Sequence, residues 1–373
     1  MRTRSTTTLV TGFPTAFRAV RVVRKLLADD DTAIVQCIVQ KKFLDKANTE
    51  RRRLPKEARS RLKFVEGDVA SMDMGLSGPE YNDLAASVEV IHHCAAVTYL
   101  GVDERVAYEA NLVGTREVLE LAGTAEHLDR LVHWSTALVS GRRRGYVLED
   151  ELDGSAGFAN AVGETRFRAE RMVRAAFDRV PTTVLRPSIV VGDSTTGEID
   201  RFDGPYLLVL LMINSPIDLR MPLPGRGDIP LNVVPVDYVM DAAFKIVADP
   251  RSVGRTFHIV DPEPLTVRRV FELIARTAGR PSPRGFVPAN IATTLLRTPG
   301  LEKLAQVPRT FLEQLATEVV YDDRNTREIL GGSGIKCPPF DAYVDVLVQY
   351  VREQQEVRRT TAAAAAEEHD PLG

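Results

Sequence analysis

Along the first half of the chain, short apolar runs alternate with longer stretches whose apolar residues recur every three or four positions. The runs Thr8–Val10, Ala33–Val39, Leu62–Glu66, Val88–His93, Arg130–Ser135 and Thr183–Leu185 predict strands. Several are apolar throughout, as strands of a parallel sheet buried on both faces must be. Between them Phe17–Leu27, Asp103–Leu121 and Thr165–Phe177 carry the helical period. Strand–helix alternation of this length predicts βαβ units, hence an α/β fold with a doubly wound parallel sheet.

After Arg186-Pro187 the pattern changes. Gly204-Pro205, Met221-Pro222-Leu223-Pro224-Gly225 and Asp261-Pro262-Glu263-Pro264 break the chain into short pieces. Helices are predicted over Val236–Val247 and Val267–Ala278, with a last one from about Phe340 to Val357. The expected division is a sheet domain over 6–200 to which later segments return, and a smaller mixed substrate or cap region over 201–358. The cap would cover the carboxyl ends of the strands, where such folds bind ligands. Residues 359–373 carry no apolar period and are expected to form a disordered tail.

Composition narrows the class. Of 373 residues, 44% are hydrophobic and 27% charged, and the formal net charge of −3 excludes the basic footprint of a dedicated nucleic-acid binder. The run Arg51-Arg52-Arg53 lies among other charges and reads as a solvated face. Cys37, Cys94 and Cys337 form no CxxC pair, and His92-His93 has no third ligand nearby in sequence, so no metal is expected. Free thiols in apolar runs fit a reduced, cytoplasmic setting. The N-terminus leads straight into a strand, and Tyr206–Ile213 is too short to span a bilayer, so no transmembrane segment is expected.

The first strand ends at Thr11-Gly12, where a loop that cradles a nucleotide diphosphate would begin. Such a loop needs three glycines, for a tight turn, close backbone approach and close helix packing. Here it reads Gly12-Phe13-Pro14-Thr15-Ala16-Phe17-Arg18, with Thr15 and Arg18 at the other two glycine positions. Pro14 offers no N–H. By itself this stretch is an ordinary strand–turn–helix.

Its surroundings carry more. Gly67-Asp68-Val69 follows the third strand, His93-Cys94-Ala95-Ala96 the fourth, and Asn111-Leu112-Val113-Gly114-Thr115 lies in the next helix. Ser135-Thr136-Ala137 ends the fifth strand, and Arg186-Pro187-Ser188-Ile189-Val190-Val191-Gly192-Asp193 follows the sixth, with Pro235-Val236-Asp237-Tyr238 further on. Together these motifs, from about Thr8 to Val351, resemble the extended short-chain dehydrogenase/reductase family, with its Rossmann-type domain. The branch they resemble most is that of the fatty acyl-CoA and thioester reductases. The resemblance implies a cofactor site at Gly12, Thr15, Arg18, Asp68, Val69, Ala95, Ala96, Asn111, Pro187, Ser188 and Val190. Within it, Asp68 and Val69 would hold adenine, Ala95 and Ala96 the ribose, and Pro187 to Val190 the nicotinamide. Lys41 and Lys42 follow the second strand, where positive charge favours a 2′-phosphate; if a dinucleotide is held, NADP is expected. Plain solvated charge is the equal alternative for the two lysines.

The resemblance also implies a catalytic set of hydroxyl, tyrosine and lysine. Thr136 matches the hydroxyl. The segment Phe158 to Glu170 matches the helix that carries the other two, with Asn160, Thr165 and Glu170 fixing the register. Val162 then stands at the tyrosine position and Arg166 at the lysine position. Valine has no proton to give, and arginine is not a tunable amine. The expectation is a short-chain-reductase-like protein that has lost hydride transfer and acts by binding a small-molecule or acyl ligand or a protein partner. A homodimer stays open. The alternatives are an NADPH-dependent reductase of an acyl thioester or related carbonyl with an atypical acid, Tyr206 or Tyr238 for instance, or a non-redox enzyme reusing the pocket.

Overall fold

The computed structural model describes residues 6–98, 101–202, 205–214, 223–224, 227–282, 285–287 and 317–367. The strands are, in chain order, β1 (Thr7–Thr11), β2 (Ile34–Val39), β3 (Leu62–Glu66), β4 (Val90–His93), β5 (Arg130–Trp134), β6 (Gly145–Val147), β7 (Thr182–Pro187), β8 (Ile189–Val191), β9 (Leu223–Pro224), β10 (Val233–Pro235), β11 (Arg255–Ile259), β12 (Phe286–Val287) and β13 (Val319–Tyr321). Seven of them make one sheet in the order β3-β2-β1-β4-β5-β7-β11, every neighbouring pair parallel. Helices follow the strands, so the α/β, Rossmann-type doubly wound sheet expected from the alternation is present. All five residues of β1 are buried, as a central strand covered on both faces requires. Below one face Leu9, Ile91, Leu131, Val118 and Leu121 pack in one cluster. Each such side chain contributes about 1.5–3 kcal/mol by leaving water.

The chain divides into two compact units. The Rossmann unit is Met1–Ser188 with Val239–Val260 and Val319–Ile335; the other is Ile189–Tyr238, Asp261–Glu318 and Lys336–Gly373. The first boundary falls at Ser188, twelve residues before the expected one, because β8 leaves the sheet to pair with β10 in the second unit. Strand β11 lies outside the set that the apolar runs predict. Its sequence, RTFHI, breaks the apolar run with Thr256 and His258, yet both are buried.

Three helices differ from their predicted spans. The one expected from Thr165 starts at Ala161 and runs to Arg174, because Asn160 caps it: its side-chain oxygen accepts the Gly163 N–H at 2.8 Å. The predicted Asp103–Leu121 helix is two helices, Glu104–Tyr108 and Gly114–Thr124, joined by a π turn over Glu109–Val113. The last helix runs Val344–Glu367, into the stretch expected to be disordered. Alanine is the strongest helix former, and the Ala362–Ala366 run continues the helix without needing an apolar face. Residues 368–373 of that stretch lie outside the described residues.

The second unit holds the parallel pairs β8–β10 and β9–β12 and the helices Pro205–Asn214, Val267–Thr277 and Val344–Glu367. Helix Val267–Thr277 starts at Thr266, whose hydroxyl accepts the Arg269 N–H, and it buries Val267, Val270, Phe271 and Ile274 on one stripe. No helix among the described residues is long and apolar enough to cross a membrane.

Candidate functional site

The chain leaves β1 toward β2 and β3 on one side and later fills β4, β5 and β7 on the other, so the loops after β1 and β4 diverge. This switch point is where open α/β sheets receive ligands. In register, Thr11 lies opposite His93 and His93 opposite His133. Gly12, Cys94 and Trp134 therefore follow one another across the strand ends.

Gly12 has φ +86°, and a Cβ there would lie 2.8 Å from the Ala95 nitrogen. Only glycine fits. The N–H groups of Thr15 and Ala16 donate to the Gly12 carbonyl at 3.0 and 2.8 Å, closing the turn. Phe13 is buried and stacks on Phe64 with ring centres 5.8 Å apart, Thr15 is exposed, and Arg18 stands half-buried on the first turn of helix Phe17–Asp29.

Below this loop runs a chain of hydrogen bonds whose directions are fixed. The Thr115 hydroxyl donates to the Asn111 carbonyl at 2.6 Å, so it accepts from His93 Nε2 at 3.0 Å. His93 Nδ1 is then the unprotonated nitrogen and accepts from the Thr11 hydroxyl at 2.9 Å, which in turn accepts the Ala95 N–H at 3.1 Å. Burial, aided by the His133 ring and the Arg166 charge, holds His93 well below the usual histidine range, so it is neutral. Asn111 extends the chain: its side-chain oxygen accepts the Val97 N–H at 2.7 Å, and its amide donates to the Thr165 hydroxyl at 3.0 Å. The loop after β4 is thus tied to the helix that carries Val162 and Arg166.

At the end of β5 the Thr136 hydroxyl accepts the Leu138 N–H at 3.3 Å and lies 3.4 Å from the Pro187 carbonyl, to which it donates. Val162 is buried. Arg166 is 4% exposed and donates to the Trp134 carbonyl. One helical turn on, Glu170 accepts from Arg186 Nε at 2.9 and 3.0 Å and from the Ser135 hydroxyl at 2.5 Å. Ser188 is buried, and its hydroxyl has no partner among the described residues.

The hydrogen bonds thus bring Gly12, Ala95, Asn111, Thr136, Arg166 and Pro187 around the same strand ends, with Thr15, Arg18, Ala96, Val162 and Ser188 on the same segments. Asp68 is half-buried; one carboxylate oxygen accepts the Ala70 N–H at 3.0 Å, so it closes its own turn. Val69 packs against Gly114, where an added Cβ would lie 3.5 Å from its methyl group. Lys41 and Lys42 are exposed at the end of β2. Val190 belongs to the second unit, in β8 opposite Val234. There too the Tyr206 hydroxyl accepts the Gly192 N–H at 2.7 Å, and burial raises its pKa, so it is held in its own unit's structure. Tyr238 is buried. Glu164 is exposed near Arg168, a solvated pair.

Sequence reading misses His93, Thr11 and Thr115 as an organising set, and also Arg186 with Glu149. Their signal is polar residues inside apolar runs, which is costly unless each is bonded. Among the described residues, no group of three or more His, Cys, Asp or Glu could hold a metal ion.

Comparison with known proteins agrees with this fold. The terminal R domain from the myxalamid PKS-NRPS biosynthetic pathway has a solved structure that superposes with a TM-score of 0.80 at 26% identity, over 95% of this chain and 92% of that one. The glycine betaine reductase ATRR of Emericella nidulans is 30% identical over 226 residues, 60% of this chain. The fatty acyl-CoA reductase wat of Drosophila melanogaster is 27% identical over 228 residues, 54% of this chain. The aligned part is only 17% of ATRR and 44% of wat. Residues 10–243 match the NAD-binding family described as male sterility protein, and the chain belongs to that family, within the extended short-chain dehydrogenase/reductases.

Proposed function

We propose that this chain uses its Rossmann cleft to bind a ligand and no longer transfers hydride. A bound nicotinamide dinucleotide would supply the hydride. Thr136 still offers a hydroxyl at the end of β5 to polarise a carbonyl. The observation that carries the reading is the pair on the next helix: Val162, buried where the proton donor belongs, and Arg166, tethered to the Trp134 carbonyl. General acid catalysis contributes about 10²–10⁴-fold, and its loss alone makes turnover hard to detect.

The residues present fit a dinucleotide unevenly. Gly12 keeps the bare turn, and Asp68 and Val69, the pair expected to hold adenine, are half-buried. At the diphosphate, Thr15 adds a side chain and Pro14 removes a donor, and toward the nicotinamide end the buried Arg166 replaces an amine that would meet a ribose. Exposed Lys41 and Lys42 favour NADP over NAD for whatever dinucleotide is held. The superposed R domain comes from a PKS-NRPS pathway, and the aligned part of ATRR is a small share of a longer chain. Both support a protein partner or an acyl thioester as the other ligand.

Thr136 favours one second reading, an NADPH-dependent reductase of an acyl thioester or related carbonyl with an atypical acid. The two are separated by titrating NADPH and NADH into the protein by calorimetry and assaying NAD(P)H oxidation with thioester, aldehyde and ketone panels. No oxidation is expected. Robust turnover that Thr136→Ala abolishes would establish the reductase instead.

A further inference from the structure

Helix Gly114–Thr124 meets the loop that follows β3 at two points, one helical turn apart. Gly114 packs on Val69, where an added Cβ would lie 3.5 Å from a Val69 methyl group and 3.6 Å from its carbonyl oxygen. Three positions on, and so on the same face, Glu117 accepts the Asp73 N–H at 3.0 Å through Oε2. Its other oxygen, Oε1, accepts from Arg116 Nη2 at 2.9 Å. Glu117 is 3% exposed, and a carboxylate is costly to bury unless its oxygens are bonded.

The loop needs such a hold. Asp73 (φ 51°, ψ 27°) and Met74 (φ 55°, ψ 24°) are consecutive non-glycine residues in the left-handed region, a strained conformation for both. Burial of Met74 in the cluster with Leu9, Ile38 and Val118 offsets part of that strain. Met72 and Asp73 are exposed, so packing does not fix the crest of the loop. Bonds inside the loop tie the crest to Asp68. The Asp68 N–H donates to the Met74 carbonyl at 2.8 Å, the Ser71 N–H to the Asp68 carbonyl at 2.8 Å, and the Met74 N–H to the Ser71 carbonyl at 2.9 Å. Among the described residues, no hydrogen bond other than that of Glu117 reaches residues 70–73 from outside the loop.

We propose that Glu117 is a positioning residue for a nucleotide: it clamps the strained crest at Asp73 and so fixes Asp68 and Val69 for an adenosine group. The inference rests on the ligand-binding role above and names the half of a dinucleotide that the fold still prepares. The clamp has a firm base. Thr115, on the same helix, accepts from His93 of β4, which fixes the first turn of that helix to the sheet. Val162 and Arg166 lie on a different helix, Ala161–Arg174, so the adenosine end can be kept while those positions change.

The test titrates NADPH and ADP-ribose into the full chain by calorimetry for the wild type, E117Q and E117L, and follows amide exchange at Asp73. E117Q keeps an oxygen for the Asp73 N–H, whereas E117L removes it; E117A serves the same purpose where E117L fails to fold. Both probes are expected to bind the wild type and E117Q alike, and E117L about tenfold more weakly, with faster exchange at Asp73 in E117L alone. A role confined to stability would shift the melting temperature and leave both affinities unchanged. Unchanged ADP-ribose affinity in E117L, beside a wild type that binds, overturns the positioning role alone. No binding of either probe by the wild type overturns it together with the dinucleotide reading. Turnover with NADPH would refute the loss of hydride transfer and leave the role of Glu117 standing, so the two ideas fail separately.

Discussion

Arg186 of β7 holds Glu170 of the neighbouring helix in a buried ion pair, its Nε 2.9 and 3.0 Å from the two carboxylate oxygens. The guanidinium is otherwise satisfied by the carbonyls of Glu149 and Glu151 and by His258 Nε2 at 3.1 Å. Removing one partner of such a pair strands a buried charge and costs about 3–5 kcal/mol. Arg186→Met is expected to lower the urea unfolding free energy by that amount, and Glu170→Gln in the same chain to recover part of it. An Arg186→Met variant as stable as wild type would show the pair to be dispensable.

Stability should fall in mild acid. Burial, the leading cause in each case, holds His92 and His258 at about 3, and His93 and His133 well below 6.5. These depressed values mean that the unfolded chain takes protons which the folded chain refuses. The stabilisation is full above 6.5 and is lost below it, about 1.4 kcal/mol per histidine between pH 7.5 and 5.5. Glu149 acts the other way. Burial raises its carboxyl to about 7, although His258, Asn325 and Thr326 donate to it, and protonation returns roughly 2 kcal/mol over the same range. The net expected loss is about 4 kcal/mol, read as a lower urea midpoint at pH 5.5. A midpoint that stays level or rises would contradict neutral buried imidazoles.

His93→Leu removes one partner from each of Thr11 and Thr115. A buried polar group left unpaired costs about 1–3 kcal/mol, so a loss of roughly 2–4 kcal/mol is expected by chemical denaturation. Because Thr11 also accepts from Ala95, amide exchange at Ala95 should speed up. Unchanged exchange there would mean the chain of bonds is not coupled.

Ending the chain after Arg359 should leave the melting temperature within about 1 °C of the full-length protein. Every residue from Glu356 to Thr360 is exposed, and the cut retains Arg358, whose guanidinium lies over the Phe202 ring. A drop of several degrees would show that the end docks.

The lysine and tyrosine positions show how far sequence reading reaches. Asn160, Thr165 and Glu170 set the register proposed for Val162 and Arg166, and all three take part in the bonds that hold that helix. Where Arg166 puts its charge is not legible in the same way, since it depends on the carbonyl of Trp134, thirty-two positions away. The same holds for β11: His258 is bonded at its backbone by Glu149 and Thr326 and at its ring by Asp322 and Arg186, and no apolar run announces the strand.

The sequence by itself determined the alternation of strands and helices, the switch-point loop at Gly12 and a side chain without a titratable proton at Val162, because each depends on local period or residue chemistry. Only the tertiary structure decided which histidines are neutral and where the second unit begins. Burial and charge–charge distance belong to pairs of residues far apart in the chain, and the packing of the sheet creates them.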